Sequence, residues 1–124
     1  MEIPDKIRVG FHNYQIIFPY IFKEDSGRIG QHSATLGEIR ITNTFLNLPV
    51  PDETIIQTMM HEVLHAIDSV SNLKVFSKED GSIDEDKIDG IAEWLCMVLR
   101  DNPSLTKMFL PPLISIQEND NPIT

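Results

Sequence analysis

The chain has 124 residues, of which 41% are hydrophobic and 23% charged, a composition that predicts one soluble globular domain with a single core. Its net charge of −9 argues against nucleic acid as a partner, because affinity for phosphate backbones depends on clustered Lys and Arg. The lone cysteine excludes an internal disulfide, and no apolar run resembles a secretory signal or reaches the roughly 18 residues of a membrane span. We therefore expect a cytoplasmic protein without a membrane partner.

Four strands are predicted in the first third of the chain, from alternating and β-branched residues at positions 7–10, 14–17, 28–32 and 37–42. The first two are expected to form a hairpin that turns at His12 and Asn13. The fourth strand alternates apolar and polar residues as a half-buried or edge strand does, and as an exposed strand it could hold an extended peptide by β-augmentation. A connection at residues 43–51 follows.

Two helices are predicted after this connection. The first should begin at Asp52, whose side chain can cap the free amides of the first turn, and end near residues 71–72. The second should begin with a capping box formed by Ser82 and Glu85 and end at Asp101, because the following Asn-Pro disfavours the α region. A short third helix is expected at residues 104–110.

Strands followed by helices predict an α+β fold rather than alternating βαβ units. We expect a small N-terminal antiparallel sheet, then one helix that carries the chemistry and a second helix packed against it. Residues 1–110 should form this single domain. Residues 111–124 should form a C-terminal tail that is partly disordered, because its last part has few large apolar residues and many polar ones.

The most informative motif is His61-Glu62-Val63-Leu64-His65, an HExxH sequence inside the first predicted helix. Histidines at i and i+4 lie one turn apart on the same face, so their ring nitrogens can bind one Zn²⁺ ion. Glu62 lies about 100° further round the helix, where it can act as a general base toward a water molecule. The alternative is a pair of half-exposed histidines that hydrogen-bond to carbonyls or carboxylates.

A catalytic zinc site needs a third protein ligand, and the second helix offers four acidic residues: Glu85, Asp86, Asp89 and Glu93. By helical angle, Asp89 lies nearer the apolar face of this helix than Glu93 does. Glu85 is closer still to that face, but the capping box accounts for it. We therefore predict Asp89 as the third ligand and Glu93 as the alternative.

Several residues are weaker candidates. Asp68, three residues after His65, could orient that histidine by accepting a hydrogen bond from its Nδ1–H, and an equally good interpretation is that it faces solvent. Any of four aromatic or imidazole side chains could stabilise an oxyanion, although core or surface roles are the more common explanation: Tyr14, Tyr20, His12 and His32. Cys96 is expected to be a small buried residue.

The HExxH segment, together with the later Asp89-Gly90-Ile91-Ala92-Glu93-Trp94-Leu95, resembles small metallopeptidase-like proteins of phages and prophages, related to the ImmA/IrrE zinc endopeptidases. This resemblance covers roughly residues 7–103. It implies a minimal gluzincin in the cytosol of a bacterial host, with an acidic third ligand ahead of an alanine on the second helix. Asp89 stands at that position, where the wider group commonly has Glu.

These observations predict a zinc-dependent metallopeptidase in which His61, His65 and Asp89 bind the ion and Glu62 is the general base, acting on a protein or peptide substrate. One alternative is a metal-binding interaction module without turnover that contacts a host factor. Another is a structural zinc site, which would need a fourth protein ligand such as His32 or Cys96. The sequence predicts neither the substrate nor the oligomeric state.

Overall fold

The computed structural model describes residues 1–25 and 27–111, so the predicted tail lies outside the described residues except for its first position, Pro111. The elements, in chain order, are β1 (Lys6–Val9), β2 (His12–Ile17), β3 (Gly30–Ser33), β4 (Glu38–Ile41), β5 (Thr44–Phe45), β6 (Leu48–Pro49), α1 (Asp52–Ser71), α2 (Glu85–Asp101) and α3 (Pro103–Lys107). The predicted α+β class is confirmed. No helix within the described ranges is long and apolar enough to cross a membrane.

The four main strands form one sheet in the order β1-β2-β4-β3. The pairs β1–β2 and β3–β4 are antiparallel, but β2 and β4 run parallel, so the predicted antiparallel sheet is correct only in part. The first turn lies at Gly10-Phe11 rather than at His12-Asn13, because Gly10 adopts φ 61°, which a residue with a side chain rarely does. His12 instead pairs with Val9.

The strand predicted to accept a peptide, residues 37–42, is not at an edge. The segment of it that forms a strand, β4, lies between β2 and β3, so both of its sides are paired within the sheet. The edge strands of this sheet are β1 and β3, and β3 makes the more extensive contact with α1. Peptide addition next to α1 is therefore expected at an edge strand such as β3 and not at β4.

Helix α1 packs its apolar face on the sheet, and the main core lies between them. Six residues form this buried cluster: Tyr14, Ile16, Ile39, Ile41, Ile55 and Ala66. The helix ends as predicted, with Asn72 in the left-handed conformation that commonly terminates helices. It also starts at Asp52, as predicted, but Asp52 does not cap it: Pro51 occupies the N-cap position and no side chain caps the first turn.

Helix α2 packs on the opposite side of α1 around a smaller cluster of Leu64, Phe76, Ile88 and Ala92. The predicted capping box is wrong. Asp84 is the N-cap, and its Oδ1 accepts a hydrogen bond from the Lys87 backbone amide at 3.1 Å. Ser82 donates to Asp80 instead. The carboxylate of Glu85 is therefore not used in capping.

Candidate metal centre

Three side chains from the two helices converge at one point beside α1. The Nε2 atoms of His61 and His65 each lie 3.0 Å from the same oxygen of Glu85, Oε1. The three candidate ligand atoms lie within 4.8 Å of one another, and the described residues contain no other such group. Glu85, in the first turn of α2, thus contacts both histidines of α1, which lie one helical turn apart.

The donor set of two imidazoles and one carboxylate fits a catalytic zinc ion. Ligand atoms about 2.1 Å from an ion at tetrahedral angles lie about 3.4 Å apart, so the observed separations require only small side-chain movements. Both imidazoles direct a ring nitrogen at one carboxylate oxygen. Such a contact is favourable only when a proton or a metal cation lies between nitrogen and oxygen, because both atoms otherwise present lone pairs.

Asp89 is placed differently from the prediction. Its Oδ1 lies 2.6 Å from Nδ1 of His61, the ring nitrogen that faces away from Glu85. A carboxylate that accepts from Nδ1–H leaves the Nε2 lone pair of His61 free for a metal. The structure thus assigns Glu85 to the cluster and makes Asp89 a positioning residue for His61. Glu93, the alternative ligand, lines the same cavity but is not in the cluster.

The group that could hold a metal ion contains Glu85, whereas the resemblance and the capping box directed the sequence prediction to Asp89. Glu85 lies one turn before Asp89, on the same side of α2, so both face α1. The angular argument already placed Glu85 nearest the apolar face. Glu85 was set aside because the Ser82 capping box accounted for it. In the structure Asp84 is the N-cap instead.

Glu62 is buried, with 6% of its surface exposed, and lines the same cavity as His61 and Glu85. Burial raises the pKa of Glu62 to about 7, with His61 opposing and Glu85 adding to the rise. A carboxylate with a pKa near neutrality is suited to accept a proton and later return it.

Gly30 explains how Glu62 fits beside the sheet. A Cβ atom at this position would lie 2.8 Å from Glu62 Oε2 and 2.5 Å from Thr58 Cγ2, so β3 and α1 approach too closely for any side chain. The glycine thereby allows the sheet to cover Glu62 and exclude water from it, which is the cause of the raised pKa. The sequence showed only an isolated glycine at the start of a predicted strand.

His32 lies two residues after Gly30 on β3 and reaches the centre from the sheet side. Its ring is stacked parallel to that of His65, with 6.1 Å between ring centroids, and its Nε2 lies 3.0 Å from the Tyr14 hydroxyl. Burial, with a smaller contribution from His65, lowers the pKa of His32. Of the four oxyanion candidates, His32 therefore lines the cavity, and Tyr14 lies behind it.

The remaining candidates lie elsewhere. Tyr20 packs on Phe22 and under the Arg40 guanidinium, and His12 is exposed on β2. Asp68 does not orient His65; its two carboxylate oxygens accept from the backbone amides of residues 75 and 76 and so fix the loop after α1.

Cys96 and His32 do not provide a fourth ligand. Cys96 is partly buried, where a buried residue was expected, and burial raises the pKa of its thiol. The His32 Nε2 is engaged with Tyr14. Within residues 1–25 and 27–111 the candidate ligands are therefore three. A structural zinc site with four protein ligands gains no support from these residues.

The centre is open on the α2 side. The side chains of Glu85 and Asp89 are 58% and 64% exposed, whereas those of His61 and His65 are 15% and 18% exposed. A cavity of about 530 Å³ reaches the cluster between β3, α1 and α2. A ligand or substrate therefore has access to the point where the three ligand atoms meet.

No protein family, no curated protein and no solved structure matches this chain.

Proposed function

We propose that this protein is a zinc-dependent peptidase, of the phage-associated HExxH type that the sequence resembles. The observation that supports the proposal is the convergence of His61, His65 and Glu85 beside the buried carboxylate of Glu62, in a cavity open to solvent. Structural sites close around the ion with four protein ligands, while catalytic sites combine three ligands with an accessible fourth position. The candidate ligands here number three among the described residues.

His61, His65 and Glu85 would hold the ion, and Asp89 keeps the His61 ring in the tautomer with Nε2 free. Zinc, when bound, lowers the pKa of a coordinated water and polarises a carbonyl group. Glu62 accepts a proton from the attacking water and returns it to the leaving nitrogen. Burial raises the pKa of Glu62, which favours its acceptance of this proton.

An extended peptide would bind along β3. This strand has a free side, and two of its residues, Gly30 and His32, line the cavities that reach the cluster. A peptide paired with β3 would satisfy its own backbone hydrogen bonds and pass beside the metal centre. The imidazole of His32 would then lie on the substrate side of His65, where a donor can stabilise negative charge on a carbonyl oxygen.

The experiment is digestion of a mixture of short peptides by zinc-loaded protein, with cleavage products identified by mass spectrometry. Glu62→Gln should lower turnover by about 10²- to 10⁴-fold while zinc content and melting temperature stay close to wild type. Glu79→Gln, the same change in the exposed loop before α2, is the matched control and should cleave normally. Wild-type activity in Glu62→Gln would contradict the general-base assignment.

The rival function is a metal-binding interaction module on a host factor, without turnover. One observation favours it: α2 leaves an apolar strip uncovered, with Ile91, Leu95 and Val98 exposed and Trp94 67% exposed. This module requires no hydrolysis. Two results together would favour the interaction module over the peptidase. Zinc-loaded protein would cleave nothing in the peptide mixture, and Trp94→Ala, but not Glu62→Gln, would remove binding to the host factor.

A further inference from the structure

A second cavity adjoins the metal cavity at the N-terminal end of α1. It has a volume of about 440 Å³ and is lined mainly by apolar side chains, among them Ile29, Phe45, Leu48 and Val50. An apolar cavity of about 150 Å³ is enough to hold benzene, so this one has room for a large aliphatic or aromatic side chain. It opens to solvent on one side.

The wall of this cavity is a two-stranded hairpin, β5–β6, that contributes little to the core. Phe45 and Leu48 are paired across it and are 38% and 67% exposed. Its turn residues, Leu46 and Asn47, both have positive φ angles of 52° and 63°. A leucine in this conformation is uncommon and costs stability. The hairpin thus exposes apolar side chains to water and has a strained turn. Both features lower the stability of the folded protein.

The two cavities are adjacent. Ile29 and Thr54 line both of them, so the second cavity lies between the hairpin and the cavity that reaches His61. Thr54 is seven residues before His61 on α1, which is about 10 Å along the helix axis. An extended peptide advances about 3.3 Å per residue, so three residues cover this distance.

We propose that this apolar cavity binds one bulky apolar side chain of the peptide substrate, two to four residues from the bond at the metal centre. The inference rests on the proposed peptidase function and adds its substrate class: extended peptides with a leucine, phenylalanine or similar residue at that distance. Ile29 forms part of the cavity wall and immediately precedes β3, so a peptide paired with β3 would enter the cavity.

A binding experiment tests the cavity without requiring turnover. Zinc-loaded Glu62→Gln protein is titrated with a labelled peptide of alanine and serine that carries a single leucine, and with the same peptide lacking the leucine. Burial of the leucine side chain should strengthen binding by about tenfold or more. Leu48→Ser should remove most of this difference, because it replaces the most exposed apolar part of the cavity wall.

The matched control is Leu73→Ser, the same substitution at a leucine that is 69% exposed and lies outside the cavity. This variant should keep the full leucine preference. The proposal would be overturned if Leu48→Ser and Leu73→Ser preferred the leucine-containing peptide equally. It would also be overturned if neither variant showed such a preference.

Cleavage provides a second measurement. In the peptide mixture, wild-type protein should favour sites with a bulky apolar residue at one fixed position two to four residues from the cut, and Leu48→Ser should lose that preference while still cleaving. Cleavage without such a preference overturns the inference alone. Absence of cleavage with a retained, Leu48-dependent binding preference overturns the peptidase function and leaves the cavity as a peptide-binding site.

Discussion

The two long faces of α1 make very different contacts. The face toward the sheet buries a cluster of six residues, with Ile39 and Ile41 wholly inaccessible. The face toward α2 buries four residues, and a polar row of His61, His65, Glu85 and Asp89 continues the contact beyond them. The first contact is mainly apolar, apart from Thr58 and Glu62 beside Gly30, whereas the second combines a small apolar cluster with groups suited to a metal ion.

This difference predicts how the molecule responds to metal. Apolar burial is non-directional and independent of metal, so the sheet and α1 should remain associated with or without zinc. The α1–α2 contact contains four ionisable side chains whose mutual arrangement depends on what lies between them. We therefore expect zinc to stabilise α2 more than the sheet, and the predictions below test that asymmetry.

The largest effect is expected for truncation of the buried isoleucines on either side of α1. Ile39→Ala and Ile88→Ala should each lower the free energy of unfolding by about 2 to 5 kcal/mol in urea titrations with chelator present, since both side chains are fully buried. Only Ile88→Ala should also weaken zinc affinity, because Ile88 anchors the turn that carries Glu85 and Asp89. An equal loss of zinc affinity in Ile39→Ala would show that the two contacts are not independent.

Removal of zinc should have the next largest effect. A ligand that binds only the native state stabilises it by RT ln(1 + [L]/Kd), about 2.7 kcal/mol at a hundredfold excess over Kd, so chelation should lower the melting temperature. Hydrogen exchange should accelerate in α2 more than in β4. His65→Ala should abolish the chelator response, and a response identical to wild type would exclude His65 as a ligand.

The loss of the protein's zinc affinity on substitution of an acid of α2 should be smaller the further that acid lies from the cluster. Glu85→Gln should weaken zinc binding most, because it removes an anionic ligand. Asp89→Asn should weaken it by about 10- to 100-fold, through loss of the contact that orients His61. Glu93→Gln should leave it unchanged. A titration in which Asp89→Asn loses more affinity than Glu85→Gln would restore the ligand predicted from the sequence.

The smallest effect concerns the start of α2. Asp84→Ala should cost about 1 kcal/mol of stability in urea titrations, because it removes the side chain that caps the Lys87 amide. Ser82→Ala is the control and should cost less, since the Ser82 hydroxyl hydrogen-bonds to the exposed Asp80 and not to a helix amide. A larger cost for Ser82→Ala would favour the capping box and would take Glu85 away from the histidines.

Helix boundaries were predicted well where a local residue ends the helix. The Asn-Pro pair after Asp101 and the left-handed Asn72 each stop a helix through the conformations that their own backbones prefer. The residues that cap the helix starts were predicted less well. Asp52 and Ser82 both have side chains that can cap a helix, but the N-cap positions are taken by Pro51 and Asp84. Which residue takes the N-cap position depends on how the preceding loop packs.

Pairings between distant strands were the least predictable part of the fold. The parallel contact of β2 with β4 joins segments more than twenty residues apart and leaves β1 and β3 as the edge strands of the sheet. Alternation within a strand reports which side chains face the core, but not which strand is the neighbour. The β5–β6 hairpin was missed because each of its strands has only two residues.

The amino-acid sequence alone specified the chemistry of α1, because the spacing of His61 and His65 on a helix places both imidazoles on one face whatever surrounds it. The partners of that face come from elsewhere in the chain: Glu85 from the next helix, and Gly30 and His32 from the sheet. These residues have no fixed spacing from the motif. They meet it because α2 and β3 pack on two sides of α1, and that packing depends on burial across the whole molecule, which no local pattern reports.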